Sequence, residues 1–510
     1  MKKYILLIAT IISFGIFTTS CSKFLDQEPQ GEWVDGDQAS GSVESDVLTL
    51  YAKVRHYDLV ALPGLAIHSF RSEDAEKGSN ASDGASQADM FDNFNYVATN
   101  GLILSYYNKN YEIIHTTNMA ISKIDSLGSA ITDGDKINKG EAHFFRAYAY
   151  FNLVRAFGEV PLINFPIKTA DQANVPKSTI DKIYTLIDDD LKVAEENLPR
   201  TWASAYVGRL TWGAARSLHA KTYLMRNDWM NTYTATTDVI NSGLYNLNTD
   251  FSKIFREDGE NSSESVWELQ ATATESQNAS TDIGCQYAQV QGVRGTGQWD
   301  LGWGWNTPTQ ILANAFEADD PRKDETLLYF YKQGADAATI AATPTNKPYN
   351  EKPIAQSNVV NVYYNKKAYT NPALRTSYGH RQGYWYNVRM IRYADVLLMA
   401  AEAANELGNS NDALNFLEQV RARARREAPN ALPTITTTNP VDLQTAIRHE
   451  RRIELAMEFD RFYDLVRWGI ALQVLHAAGK TGYQDRHRYL PLPQTAIDNS
   501  NGVLKQNPDY

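Results

Sequence analysis

This sequence has few of the residues that would indicate a small cross-linked protein or one dominated by loops. It contains two cysteines, 30 glycines and 18 prolines in 510 residues. A disulfide framework, a collagen-like repeat and a linker-rich chain are therefore excluded. Basic residues are also in deficit, because 49 Lys and Arg stand against 60 Asp and Glu, for a net charge of −11. Since phosphate binding needs clustered Lys and Arg, we expect no nucleic acid partner.

Apolar and aromatic residues are plentiful by contrast. They make up 43% and 11% of the chain, and the 29 tyrosines outnumber the 18 phenylalanines. A chain of this length and composition can bury a large core without covalent cross-links. Tyrosine rings carry one polar edge, which suits them to surfaces that are both wet and adhesive as well as to cores.

The first residues have the pattern of an export signal. Lys2 and Lys3 precede an apolar run that ends near Phe17, and small polar residues then lead to Cys21. The run is shorter than the roughly 20 apolar residues that span a membrane. We predict that residues 1–20 are cleaved and that the Cys21 thiol is acylated, as in bacterial lipoproteins, because two or more acyl chains give stable anchoring. The alternative is a secreted protein with a free cysteine near its terminus.

Helical periodicity dominates the rest of the chain, and it occurs in pairs. From Tyr393 the apolar residues recur at i, i+3, i+4 and i+7, and Gly408 separates this run from a second one. A similar pair precedes Gly243, so that residues 209–242 and 392–425 form modules of about 34 residues, the tetratricopeptide (TPR) period. Further helices are predicted at 103–126, 136–157, 180–198 and 443–466.

The composition changes between these two modules. Residues 244–390 are rich in Gly, Asn, Thr, Gln and aromatics, with only short apolar runs. We therefore predict a mostly α protein, in which a TPR-like helical-repeat scaffold (about 40–243 and 391–470) carries an inserted loop-rich lobe (about 244–390) within one domain of residues 21–510. Function is expected in the loops, because a rigid scaffold can position them.

Several motifs, in order along the chain, resemble one known family. They are Glu141-Ala142-His143-Phe144-Phe145-Arg146, Phe157-Gly158-Glu159-Val160-Pro161-Leu162, Asp320-Pro321-Arg322, Ile391-Arg392-Tyr393-Ala394-Asp395, Glu450-Arg451-Arg452-Ile453-Glu454 and the terminal Gln506-Asn507-Pro508-Asp509-Tyr510. The chain resembles the SusD/RagB family of nutrient-uptake lipoproteins over essentially its whole mature length. The resemblance implies a TPR-like half, a variable loop half, and a lipid-anchored outer-membrane protein at the cell exterior that captures ligand for a TonB-dependent SusC-like transporter.

No motif of an enzyme class is present in the sequence. Gly-x-Ser-x-Gly, His-Glu-x-x-His, the P-loop and Cys-x-x-Cys are all missing, and nothing indicates a metal or a cofactor. Glu450, Glu454 and Glu458 recur every four residues, and such like charges need cations nearby. A glycoside hydrolase would need carboxylates on either side of its substrate, whereas we expect these three to form a structural network. The candidate partners are Arg421, Arg423, Arg451 and Arg452.

The first candidate ligand-binding loop, residues 298–306, holds three indoles among Gly and polar residues. Sugar rings pack their C–H faces on exposed aromatic rings while their hydroxyl groups need polar side chains. Trp299 and Trp303 are therefore candidate ligand-binding residues, and Trp299 is the stronger candidate. Alternatively, Trp303 and Trp305 pack inward.

Two further loops are candidates for the same site. Residues 71–96 contribute Asp74, Phe91 and Tyr96, and residues 375–386 contribute Arg375, Arg381 and Tyr384, where arginine can donate two hydrogen bonds to vicinal hydroxyls. His219 is expected to be a core histidine. The sequence thus predicts a non-catalytic oligosaccharide-binding protein. The alternatives are a peptide-binding member of the family, favoured by the acidic residues between Asp74 and Asp92, and a TPR-type protein-interaction subunit.

Overall fold

The computed structural model describes residues 43–84, 86–273, 283–330 and 360–510, together with residues 338 and 349. The predicted signal segment and Cys21 lie outside these residues. Within them the chain is mostly helical, as predicted, and no helix is long and apolar enough to cross a membrane.

The helices before residue 245 are α1 (Glu44–Val54), α2 (Tyr57–Val60), α3 (Leu62–Leu65), α4 (Asp89–Asn93), α5 (Gly101–Asp125), α6 (Asp133–Phe157), α7 (Ile180–Asn197), α8 (Trp212–Met225) and α9 (Trp229–Asn241). Those after it are α10 (Phe251–Ile254), α11 (Tyr287–Gln291), α12 (Gln310–Ala315), α13 (Pro321–Thr326), α14 (Pro372–Ser377), α15 (Tyr393–Glu406), α16 (Ser410–Arg425), α17 (Pro440–Glu454), α18 (Arg461–Arg467), α19 (Ala471–Ala477) and α20 (Gln494–Asp498).

The long helices form the predicted TPR-like scaffold. Helices α5, α6 and α7 pack in sequence order, α8 packs on α9, and α15 packs on α16. Helix α9 also packs against α15, which brings together the two modules at 209–242 and 392–425. Side-chain caps set several helix starts, because the Thr211 hydroxyl accepts a hydrogen bond from the Ala214 N–H and the Asp228 carboxylate accepts one from the Asn231 N–H.

The predicted single helix at 443–466 is wrong. Helix α17 ends at Glu454 and α18 begins at Arg461, and between them Met457 and Phe459 have φ values of 66° and 75°. These left-handed conformations turn the chain, and they are costly for residues with a side chain. Glu458 therefore does not share a helix face with the glutamates before it.

Four short antiparallel strand pairs occur among the described residues. The pairs join β1 (Ala75–Gly78) to β5 (Trp305–Pro308), β2 (Val160–Pro161) to β3 (Lys177–Ser178), β4 (Ser265–Leu269) to β8 (Val388–Arg392), and β6 (Leu327–Tyr329) to β7 (Tyr363–Asn365). Two of them, β1–β5 and β4–β8, join loop-rich residues to the scaffold segments. Trp267 of β4 packs edge-on against Phe144 and Tyr148 of α6, with ring centroids 4.9 Å apart in both cases. The strand thus shares the apolar core of the helices.

Buried ion pairs run along α17, as predicted for Glu450 and Glu454. Both glutamates have 0% exposure. Arg421 lies 2.9 Å from Glu450, and Arg423 lies 2.5 Å from Glu454, so these two predicted partners from α16 are confirmed. The surrounding guanidinium groups, with Arg423 first among them, hold the pKa of Glu454 far below its usual range despite burial.

Arginines from outside α16 and α17 join Glu454 and the nearby Glu458. Arg392, at the end of β8, lies 2.8 Å from both Glu454 and Glu458, and Arg322 of α13 lies 3.2 Å from Glu454. Lys367 adds a bond of 2.6 Å to Glu458. The network therefore contains segments from both the scaffold and residues 244–390.

The other two predicted arginine partners are wrong. Arg451 instead lies 2.6 Å from Asp395 and 2.9 Å from Asp464. Arg452 binds Asp74 at 2.5 Å. Because successive residues of a helix are about 100° apart, Arg452 lies nearly opposite Glu450 and Glu454, whereas Arg451 is beside them in direction but binds other carboxylates.

His219 is a core histidine, as predicted, but an ion-paired one. Its side chain on α8 is 1% exposed and lies 2.6 Å from Glu195 and 3.4 Å from Asp188, both on α7. Burial alone would lower the pKa of His219, but the hydrogen bonds to Asp188 and Glu195 outweigh burial and raise it.

The raised pKa of His219 predicts a pH-dependent contact between α7 and α8. Its contribution to stability is fully present below the ordinary histidine pKa and is lost as pH rises through the raised folded-state value. Urea unfolding of wild type and His219→Gln should therefore differ more at pH 6 than at pH 9. His115→Gln, at an exposed site on α5, is the control. A difference that grows with pH would contradict the assignment.

Candidate ligand-binding surface

The loop at residues 71–96 is folded into the protein and does not present its predicted site residues to solvent. Asp74 is 2% exposed and accepts hydrogen bonds from Arg452, with Nε 3.0 Å away. The neighbouring Glu73 accepts one from Arg461 at 2.6 Å. The prediction that Asp74 faces a ligand is wrong in this structure, because two arginines from α17 and α18 enclose this acidic pair.

Two lysines hold the rest of this loop. The Lys77 ammonium lies 2.7 Å from Asp89 and donates hydrogen bonds to the carbonyls of Asn80 and Asp83, at 3.2 and 3.0 Å. The Lys480 ammonium lies 2.8 Å from Asp92 and donates to the Ala75 carbonyl at 3.0 Å. Buried backbone carbonyls need donors, and here the lysines supply them.

Phe91 and Tyr96 are core residues as well. Their exposures are 0% and 3%, and their rings lie 5.3 Å apart. The Tyr96 hydroxyl donates to the carbonyl of His487, near the C-terminal end of the chain, at 3.3 Å. Tyr96 fastens the loop to the C-terminal segment and Phe91 packs against Tyr96, so the prediction that they meet a ligand is wrong in this conformation.

The three indoles of residues 299–305 differ in exposure. Trp299 is 4% exposed and packs edge-on against Phe330, with ring centroids 4.9 Å apart. Trp305 is 7% exposed in β5. Trp303 is 37% exposed. The prediction for Trp299 is therefore wrong, whereas Trp303 offers an indole face to solvent.

Glycines on either side explain why the Trp303 ring points outward. The Trp303 N–H donates to the Gln289 carbonyl of α11 at 2.9 Å. A Cβ at Gly302 would lie only 2.1 Å from that carbonyl oxygen, and Gly304 has a φ of 72°. Only glycine allows this close approach of loop and helix. With its backbone held against α11, Trp303 directs its side chain away from the core.

The third loop, residues 375–386, also contains both buried and exposed candidate residues. Arg375 is 8% exposed and donates to the Thr370 hydroxyl at 3.0 Å, and Tyr384 is 6% exposed in a cluster with Trp385. Both are therefore poor ligand contacts, contrary to prediction. Arg381 is half exposed, lies 3.5 Å from Asp300 and donates to the Gly297 carbonyl at 2.5 Å.

We group the Trp303 and Tyr57 rings with the exposed pair Asp300 and Arg381, and we call this candidate patch the Trp303 surface. The Tyr57 ring of α2 lies 6.4 Å from the Trp303 ring at an interplanar angle of 65°. Gln289 interacts with the Tyr384 hydroxyl and accepts a hydrogen bond from Gln286 at 2.8 Å. The members of the Trp303 surface are Tyr57, Gln286, Asp300, Trp303 and Arg381, and the buried side chains of Gln289 and Tyr384 lie beside Gln286.

The Trp303 surface offers uncharged polar groups around two rings. Burial, together with the nearby Asp58 carboxylate, raises the pKa of Tyr57 to about 12, so its hydroxyl stays protonated at neutral pH. His380 lies 4.9 Å from the Tyr384 ring, and burial lowers its pKa. Tyr57 is not among the predicted site residues, because it lies in a short helix without an aromatic or glycine pattern. Rings with amide and hydroxyl groups beside them can hold a ligand that has both C–H faces and hydroxyls.

Comparisons with known proteins support the resemblance noted in the sequence. Residues 263–510 match the profile of the SusD family, and residues 23–224 match a SusD-like profile described as starch-binding and associating with the outer membrane. The chain belongs to the SusD/RagB family. Together the two matched regions cover the whole module at 392–425, residues 209–224 of the other module and most of the loop-rich residues.

Individual SusD-like relatives agree with this assignment along most of the chain. SusD-like protein P2 of Formosa agariphila is 29% identical over 442 residues, covering 82% of this chain and 83% of the relative. A solved structure described as a laminarin binding SusD-like protein is 26% identical, with a TM-score of 0.75, and covers 91% of this chain and 98% of its own. A SusD homolog from Bacteroides thetaiotaomicron shares the fold at 21% identity, with a TM-score of 0.76 and coverages of 92% and 96%.

The different surroundings of Trp299 and Trp303 predict different costs on truncation. Trp299→Ala removes a buried ring and should lower the free energy of unfolding by about 3–5 kcal/mol. Trp303→Ala removes a ring that already meets water and should cost less than about 1 kcal/mol. Urea unfolding of the two variants beside wild type measures both values. Equal stabilities for the two variants would contradict the placement of these rings.

Proposed function

We propose that this SusD/RagB family protein is a non-catalytic, lipid-anchored glycan-binding protein of the outer membrane. It captures an oligosaccharide at the Trp303 surface and delivers it to a SusC-like TonB-dependent transporter. The transporter partner, the Cys21 anchor and the position at the cell exterior rest on family membership and on the signal pattern of residues 1–21.

The observation that carries the glycan proposal is the exposed Trp303 ring beside Tyr57. A sugar ring can pack its C–H face on the indole while Gln286, the Tyr57 hydroxyl and Arg381 reach its hydroxyl groups. Glycines hold the Trp303 backbone, so the ring position is largely formed before ligand arrives. A similar protein of this fold is described as laminarin binding, which agrees with a glycan ligand.

The positions of the acidic residues argue against catalysis and against cationic peptides. Glu450 and Glu454 are buried under arginines, where no glycosidic bond can reach them. Five of the acidic residues of the 71–96 loop, all except the exposed Glu76, are already ion-paired within the protein. Their partners are Arg461 for Glu73, Arg452 for Asp74, Arg294 for Asp83, Lys77 for Asp89 and Lys480 for Asp92.

Calorimetry with a panel of uncharged hexasaccharides tests the proposal. Laminarihexaose, maltohexaose, cellohexaose and xylohexaose are titrated into wild type, Trp303→Ala and Phe165→Ala. We expect wild type to bind at least one member, and Trp303→Ala to weaken that binding at least tenfold, about 1.4 kcal/mol, without release of monosaccharide.

Phe165→Ala is the matched control, because Phe165 is also an aromatic ring with 37% exposure but lies outside the Trp303 surface. It should bind as wild type does. Binding that survives Trp303→Ala, or that falls equally in both variants, would overturn the assignment of the site.

A further inference from the structure

The two arginines described near the Trp303 surface, Arg294 and Arg381, each already lie beside a carboxylate. What we infer from this arrangement rests on the proposed function. Arg381 lies 3.5 Å from Asp300 and also donates to the Gly297 carbonyl. Arg294 is paired with Asp83 and donates to the Ser79 hydroxyl at 2.7 Å.

The Arg381–Asp300 pair matters most, because it is the one nearest Trp303 in sequence and the most open to solvent. Exposed ion pairs are weak, so an incoming anion could compete for the guanidinium. Asp300 is 67% exposed, however, and would remain beside any anion that reached Arg381. Two carboxylates sharing one guanidinium repel each other, which reduces the gain from the new contact.

A further acidic group lies beside Tyr57. The Asp58 carboxylate follows Tyr57 directly, and its charged partner among the described contacts is the His56 imidazole at 3.3 Å. Asp58 is also a cause of the raised Tyr57 pKa, which places its charge close to the hydroxyl. The whole chain carries a net charge of −11, so its long-range field repels anions as well.

We propose that the Trp303 surface selects uncharged oligosaccharides and rejects glycans that carry uronic acids or sulfate. Affinity for the preferred ligand comes from ring stacking and neutral hydrogen bonds. It therefore depends little on salt, since screening acts on charge pairs.

The experiment compares the uncharged hexasaccharides with hexamers of mannuronate, guluronate and galacturonate, each at 50 and 500 mM NaCl. We expect the best uncharged ligand to bind at least tenfold more tightly than any acidic hexamer at 50 mM NaCl. Its dissociation constant should change less than twofold between the two salt concentrations.

Asp300→Asn provides a second test of the same inference. Removing this carboxylate frees Arg381, so affinity for the acidic hexamers should rise severalfold at 50 mM NaCl, and the rise should vanish at 500 mM. Asp189→Asn is the matched control, because Asp189 lies on α7, outside the Trp303 surface. There it is 65% exposed and 3.5 Å from Lys192. This variant should leave the affinity for acidic hexamers unchanged.

The outcomes separate this inference from the proposed function. Acidic hexamers that bind as tightly as uncharged ones, in a manner that Trp303→Ala abolishes, would overturn the selectivity and keep the site. If no hexasaccharide of either class binds wild type, or if Trp303→Ala leaves the affinity for hexasaccharides unchanged, both proposals fail. If the Asp300→Asn variant binds the acidic hexamers at 50 mM NaCl with the same affinity as wild type, the proposed selectivity is also contradicted.

Discussion

Buried arginine–glutamate pairs along α17 determine how the loop-rich residues sit on the helical scaffold. Glu454 alone meets Arg423 from the scaffold, Arg392 from the end of β8 and Arg322 from α13. Transfer of each ion out of water costs several kcal/mol, which is recovered only when the partners meet in good geometry. Because these arginines lie far apart in sequence, one arrangement of the chain satisfies them together. The pairs are thus better understood as fixing the arrangement than as adding stability.

The same helix positions the candidate binding surface through a series of direct contacts. Arg452 of α17 holds Asp74, which immediately precedes β1. Strand β1 pairs with β5, and β5 begins two residues after Trp303. The Trp303 backbone is then fixed by its hydrogen bond to α11. A surface supported in this way is largely formed before ligand binds, so little ordering entropy is lost on binding.

Periodicity was sufficient to predict the helical pairs, because amphipathic faces are a local property of sequence. Periodicity failed at 443–466, where Met457 and Phe459 have left-handed backbone conformations that interrupt the helix. Glu458, between them, pairs with Arg392 and Lys367. The sequence also ranked Trp299 above Trp303, and their exposures of 4% and 37% reverse that order, since the outward direction of Trp303 depends on the approach of Gly302 to α11. The acidic residues of the 71–96 loop looked available in sequence, but their partners Arg452, Arg461 and Lys480 come from the other end of the chain.

Native-state hydrogen exchange of Glu454→Gln tests most directly the claim that one buried network joins the scaffold to the loop-rich residues. Glutamine has nearly the same shape as glutamate but no charge, so three buried arginines lose the negative charge of their partner. The free energy of unfolding should fall by about 3–5 kcal/mol. We predict that Glu454→Gln exchanges faster than wild type in α15–α17 and also in β4, β5 and β8. Glu196→Gln, at an exposed site on α7, is the control and should exchange as wild type does. Faster exchange confined to the helices, with the strands as protected as in wild type, would contradict the claim.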